Sequence, residues 1–110
     1  MPTTLPTLDE LLGLNDTTPE NVHERLLQAT QDEQEYGHVF TLHAELEGMK
    51  LLPAMERMLQ GWIAQGYELI SMRELYQRLH PSTLPKHSVT MSELVGRSGL
   101  LAVQGAAAKT

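Results

Sequence analysis

Residues 38–43 constrain the fold most, because they form a strand-like run between segments whose apolar residues have helical spacing. A second short strand is predicted at residues 67–70. The resulting order of helix, strand, helix, strand and helix indicates parallel strands joined by helical crossovers. Parallel sheets are normally covered on both faces and contain several strands. Two strands therefore predict an α/β fold whose sheet is incomplete.

Capping residues, prolines and glycines predict where the helices begin and end. The first predicted helix is a short turn that begins at the capping box Thr7 to Glu10 and is stopped by Gly13, and the second covers residues 18–33. The third has Pro53 in its first turn and Gly66 after its end. The fourth runs from the N-cap Ser71, with Glu74 completing its capping box, through Leu79. The third helix carries an apolar stripe formed by Leu52, Met55, Leu59 and Trp62 or Ile63. Residues 2–6 are predicted to be an extended lead-in, residues 89–91 and 98–104 short strands, and residues 105–110 a disordered tail.

The composition limits the class of protein. With 110 residues, 41% apolar and 20% charged, the chain is predicted to fold as at most one domain. A net charge of −6 with scattered basic residues disfavours nucleic acid as a partner. The absence of cysteine excludes disulfides and thiolate chemistry. Residues 1–15 show no basic or apolar region typical of a signal peptide, and no apolar run is long enough to cross a bilayer, so secretion and membrane spanning are disfavoured. Peripheral membrane contact is compatible with the sequence.

The polar residues that suggest chemistry lie at the end of the first predicted strand. Alternation places Thr41, His43 and Glu45 on one strand face. An imidazole beside a carboxylate can act as a general acid or base. The alternatives are a hydrogen-bonded structural histidine, a three-ligand metal site of His43, Glu45 and Glu47, and a Ser/His/Asp triad, which the missing G-x-S-x-G motif disfavours. The five histidines have no i, i+3 or i, i+4 spacing, so a helical metal-binding pair is not predicted.

Four segments of the chain together form a specific pattern. In order, they are residues 2–10, residues 36–48 with the core Thr41-Leu42-His43-Ala44-Glu45-Leu46-Glu47-Gly48, residues 66–70 followed by Glu74-Leu75, and residues 96–100. In this order and spacing they resemble the C-terminal part of enzymes of the polysaccharide deacetylase family. The resemblance thus covers nearly the whole chain, and the run around His43 is its most specific part.

The resemblance implies that residues 1–104 are the C-terminal part of a distorted (β/α) barrel, incomplete without the rest of a domain of about 250 residues. It implies a divalent-metal-dependent hydrolase that removes the formyl group from undecaprenyl-phosphate-linked formamido-arabinose for lipid A modification, at the cytoplasmic face of the inner membrane. The family's Leu-His motif matches Leu42-His43, which makes His43 the expected catalytic acid. Glu45 is expected to support it.

The family's base and metal-binding motifs have no match here, so this chain is expected to contribute no metal ligand and to be inactive alone. Two other interpretations stay open. One is a small α/β interaction module that pairs with a separately encoded N-terminal half. The other is an independent α/β binding protein.

Overall fold

The computed structural model describes residues 3–35 and 37–108. The chain forms two compact units, one ending at Leu69 and the other beginning at Ile70, where the composition predicts one domain at most. Pro2 of the predicted lead-in, Tyr36 of the family-like segment, and Lys109 and Thr110 of the predicted tail lie outside the described residues.

The first unit is helical. Its elements are α1 (Leu8–Leu11), α2 (Val22–Ala29), a π-helix (Leu46–Lys50) and α3 (Leu52–Ala64). Apolar side chains from the lead-in and from these elements form a single core: Leu5, Leu8, Val22, Leu26, Leu51, Ala54, Met58 and Trp62. The burial of these side chains is the main favourable contribution to folding of this unit.

The ends of α1 agree with the prediction, whereas those of α2 do not. The Thr7 amide donates to the Glu10 carboxylate at 3.0 Å, which confirms the capping box, and Gly13 has the positive φ of a helix stop. The predicted helix over residues 18–33 is shorter at both ends. The Thr18 amide donates to Asn21 Oδ1 at 2.7 Å in a turn that precedes α2. Beyond α2, the Thr30 hydroxyl lies against carbonyls of the last helical turn and favours its termination.

The predicted strand over residues 38–43 is wrong, because this segment forms no ladder with another strand. The Thr4 amide donates to the Val39 carbonyl at 3.0 Å, but the Val39 amide donates to the Thr4 hydroxyl at 2.8 Å rather than to a carbonyl. Pro6, which has no N–H, cannot continue the pairing. Residues 67–70 also form no strand; there the Tyr67 hydroxyl donates to the Thr30 carbonyl at 2.6 Å. The predicted parallel strands are therefore absent from the described residues.

The π-helix and α3 follow one another almost without a break. The Leu51 amide donates to the Leu46 carbonyl at 2.7 Å, the i to i+5 bond of a π-turn. Gly48 lies inside this turn, so the helical conformation continues past it. Pro53 in the first turn of α3 confirms the predicted start, and at the other end Gly66 has positive φ in a Schellman motif.

The buried face of α3 is rotated relative to the predicted stripe. Ala54, Met58 and Trp62 are buried, whereas Leu52 and Ile63 are exposed. Thr30 explains part of this orientation, since its buried hydroxyl accepts the Trp62 indole N–H at 3.1 Å and lies 2.8 Å from the Gln65 amide oxygen. These bonds tie the C-terminal ends of α2 and α3 together.

The second unit contains α4 (Met72–Arg78), a 3-10 turn (Pro81–Thr83) and the strands β1 (His87–Glu93) and β2 (Leu100–Ala107). The Ser71 hydroxyl accepts the Glu74 amide at 3.1 Å, which confirms the predicted N-cap. The two late strands are confirmed, but they pair with each other as an antiparallel hairpin, and β2 includes residues 105–107 of the predicted disordered tail. The protein is thus mixed α/β with one small sheet in the part described. No helix there has the length and apolar character needed to span a bilayer.

Candidate functional site

The predicted catalytic residue, His43, lies beside the short helix α1. The hydrogen bonds between the lead-in and Val39 hold these two parts of the chain side by side. As a result His43 Nδ1 lies 4.0 Å from Asp9 Oδ1. This distance brings the groups into ion-pair range but is too long for a direct hydrogen bond. Such contacts in ligand-free catalytic sites often shorten when substrate binds.

The two ring nitrogens of His43 have different surroundings. Nδ1 is shielded from solvent and has no hydrogen-bond partner within the described residues. The side chain as a whole is 35% exposed, so solvent reaches the rest of the ring. A proton on Nδ1 would face the Asp9 carboxylate, which leaves Nε2 as the nitrogen for a ligand.

The backbone of His43 is held by the π-helix that follows it. Its amide donates to Glu47 Oε2 at 2.9 Å, and its carbonyl accepts from the amides of Leu46 and Glu47, each at 2.9 Å. Glu47 is only 2% exposed. The residue that carries the imidazole is therefore fixed at both of its backbone groups.

Glu45, the predicted supporting residue, does not share a strand face with His43, because the chain turns into a helix at Ala44. Its side chain is exposed. The carboxylates near His43 belong instead to Asp9 and Glu47. The contact of Glu47 with His43 could be predicted from the sequence, since Glu47 lies one helical turn after His43. Asp9 is far from His43 in the sequence, and no spacing rule connects the two residues.

The described residues do not fit a metal centre. No group of three His, Asp or Glu side chains in residues 3–35 and 37–108 converges as a metal site requires. Glu47 directs one oxygen at a backbone amide, and Glu45 is exposed. Two other histidines have hydrogen-bond partners of their own. His38 contacts the Thr4 hydroxyl at 3.2 Å, and His87, on the hairpin, contacts the Gly105 carbonyl at 2.9 Å.

Comparison with known proteins finds relatives that match nearly the whole length of this chain. The chain is 28% identical over 104 residues to a probable 4-deoxy-4-formamido-L-arabinose-phosphoundecaprenol deformylase (ArnD) of Wigglesworthia glossinidia brevipalpis, covering 94% of this chain and 35% of that protein. A protein of the same printed name, a probable ArnD deformylase, from Shewanella sediminis (strain HAW-EB3) is also 28% identical over 104 residues, with 33% of its length covered. The chain resembles a segment of ArnD.

The match to ArnD extends over nearly all of this chain but over only about a third of the relatives' own length. No family model matches the chain. No solved structure matches it either. The resemblance to ArnD therefore rests on sequence.

Proposed function

We propose that this chain is the C-terminal segment of an ArnD-like deformylase, and that His43 is its catalytic acid. The substrate would be undecaprenyl-phosphate-linked 4-deoxy-4-formamido-L-arabinose, used in lipid A modification at the cytoplasmic face of the inner membrane. The observation that carries the proposal is the contact between His43 and Asp9 within the segment that resembles ArnD. An imidazole that has one buried nitrogen opposite a carboxylate, and that solvent reaches on the rest of its ring, is suited to proton transfer.

The proposed chemistry is hydrolysis of a formamide. Water adds to the formyl carbon, and the tetrahedral intermediate then collapses with cleavage of the carbon–nitrogen bond. The departing nitrogen takes a proton from His43 Nε2–H, which yields formate and the free amino sugar. Asp9 faces Nδ1 and stabilises the imidazolium that donates this proton. Without the proton the leaving group would be a strongly basic amide anion.

A divalent metal, as the family resemblance implies, would polarise the formyl oxygen in the complete enzyme. The described residues do not provide its ligands, so we assign the metal site and the base that activates water to protein outside this chain. In this proposal the chain contributes the acid and lacks activity alone.

A chimaeric enzyme tests the proposal. The chain replaces the matched segment of Wigglesworthia ArnD, and formate release from the lipid-linked formamido sugar is measured for the chimaera and for the chain alone. Release by a soluble, folded chimaera but not by the chain supports the proposal. A folded chimaera that binds the substrate without releasing formate contradicts it.

A second candidate function is an interaction module that pairs with a separately encoded N-terminal half. The hairpin favours it, because one face of the two strands carries exposed apolar residues: Val89, Met91, Leu100 and Ala102. A two-stranded sheet is only marginally stable without a third strand or a packing partner. Formate release on mixing the chain with a separate polypeptide of the remaining ArnD sequence, without a covalent link, would distinguish this candidate from a simple fragment.

A further inference from the structure

We propose that Glu47 is a positioning residue that holds the His43 imidazole against Asp9. This inference rests on the proposed role of His43 as the acid. The evidence for it is the buried Glu47 carboxylate in the π-helix, which accepts a hydrogen bond from the backbone of His43.

The burial of the Glu47 side chain is unfavourable for the stability of the fold. Its side chain is 2% exposed, and Oε1 has neither solvent nor a hydrogen-bond partner in the described part of the chain. Burying a carboxylate with an unsatisfied oxygen opposes folding, and an apolar residue of similar volume would remove that cost. General stability therefore does not explain a glutamate here.

The hydrogen bond that the Glu47 carboxylate accepts within residues 3–35 and 37–108 explains it. Oε2 accepts the His43 amide at 2.9 Å, while the Glu47 amide donates to the His43 carbonyl at 2.9 Å. The two residues thus close a reciprocal pair of bonds, as a capping box does at a helix start. Both backbone groups of His43 are fixed, so the direction of its Cα–Cβ bond is fixed as well.

The position of the imidazole depends on this fixed backbone. The contact between Nδ1 and Asp9 Oδ1 is 4.0 Å long and has no hydrogen bond of its own to maintain it. If the His43 backbone can rotate, the ring moves out of range of Asp9. Glu47 thus acts on the imidazole through the backbone, and the acceptor oxygen rather than the negative charge is what it provides.

Nuclear magnetic resonance on the 110-residue chain tests this without measuring deformylation. The observables are hydrogen exchange of the His43 amide and the ¹⁵N shifts of its imidazole. Glu47→Leu fills the space without an acceptor, Glu47→Gln keeps an acceptor oxygen, and Glu45→Leu is the control on the exposed side of the same turn. Asp9→Asn is added to each background.

We expect Glu47→Leu to accelerate exchange of the His43 amide about tenfold, the equivalent of one hydrogen bond, while the rest of the first unit stays protected. Asp9→Asn should shift the Nδ1 resonance in the wild type, in Glu47→Gln and in Glu45→Leu, but not in Glu47→Leu. Equal sensitivity to Asp9→Asn in all four backgrounds would overturn the proposal. Global unfolding of Glu47→Leu would also overturn it, because Glu47 would then stabilise the whole unit rather than position His43. Since activity is not measured, failure of the deformylase assignment would appear separately, in the chimaera assay.

Discussion

His43 combines a fixed backbone with a ring that is shielded at one nitrogen. The Glu47 carboxylate and the amides of the π-helix fix the backbone, and Asp9 lies opposite Nδ1 at 4.0 Å. Residues of this kind are suited to transition-state proton transfer because little reorganisation is needed when substrate binds. The contribution of Asp9 to proton transfer can therefore be measured by replacing Asp9 while His43 is kept.

At the residue scale, we expect Asp9→Asn to lower kcat of the chimaeric enzyme about tenfold, with KM nearly unchanged. Asparagine keeps the shape of the side chain but loses the charge that stabilises the imidazolium. The magnitude is that of a charge-assisted contact reduced by partial solvent exposure, since the Asp9 side chain is 43% exposed. Steady-state kinetics of formate release measure it. An Asp9→Asn enzyme with unchanged kcat would show that Asp9 does not assist His43.

The elements of the first unit are joined by a polar contact inside an apolar core. Thr30 at the end of α2 accepts the indole N–H of Trp62 on α3, and Trp62 also packs edge-on against Phe40 at 5.8 Å between ring centroids. Buried hydrogen bonds of this type fix how two helices meet, because the alternative leaves a donor without a partner.

At the element scale, we expect Thr30→Val to reduce the free energy of unfolding by ~1–3 kcal/mol, because valine has the same shape but leaves the Trp62 N–H unsatisfied. Urea denaturation followed by the fluorescence of the single tryptophan measures this change. Thr18→Val, at an exposed threonine of the same unit, is the control and should change stability little. Equal effects of the two substitutions would contradict the importance of this contact.

Features of the fold that depend on neighbouring residues were predictable from the sequence, whereas those that depend on residues far apart in the chain were not. The caps at Thr7 and Ser71 and the Schellman glycine Gly66 were predictable, because each depends on residues within one helical turn. The strand at residues 38–43 was mispredicted because a hydroxyl from the distant Thr4 takes the place of a ladder carbonyl. His43 was predicted as the acid from a family motif, whereas its proximity to Asp9 depends on tertiary packing that no local pattern contains.

At the scale of the whole molecule, the proposed interaction module would use the exposed apolar face of the hairpin. Val89 is 77% exposed, Met91 59% and Leu100 62%, all on the same face of the hairpin. Apolar surface grouped in this way marks contact sites more often than single exposed apolar residues do.

We therefore expect the purified chain to self-associate through this face as its concentration rises. Replacing Val89 and Met91 together by Thr should keep it monomeric, because the substitutions remove apolar area and retain strand propensity. Ile63→Thr is the matched control, since Ile63 is 62% exposed but lies on α3. Sedimentation equilibrium measures the mass. A wild-type chain that stays monomeric throughout would contradict an interaction surface on the hairpin.

Metal binding provides a second test at this scale. We expect the isolated chain to bind no catalytic divalent metal tightly, because its described residues contain no converging set of three ligands. Isothermal titration with zinc or cobalt measures the affinity. A one-to-one complex of submicromolar affinity, lost in His43→Ala, would show that His43 is a metal ligand and not an acid.

The most direct test of the account is the kinetics of His43→Ala in the chimaeric deformylase, compared with Glu45→Gln. Loss of a positioned acid should lower kcat by roughly 10²–10⁴-fold, while KM and metal content stay near their wild-type values. Glu45→Gln should be far milder, because the Glu45 side chain is exposed. Near-normal turnover by His43→Ala, or a loss of metal that accompanies the loss of turnover, would contradict the assignment of His43 as the proton donor.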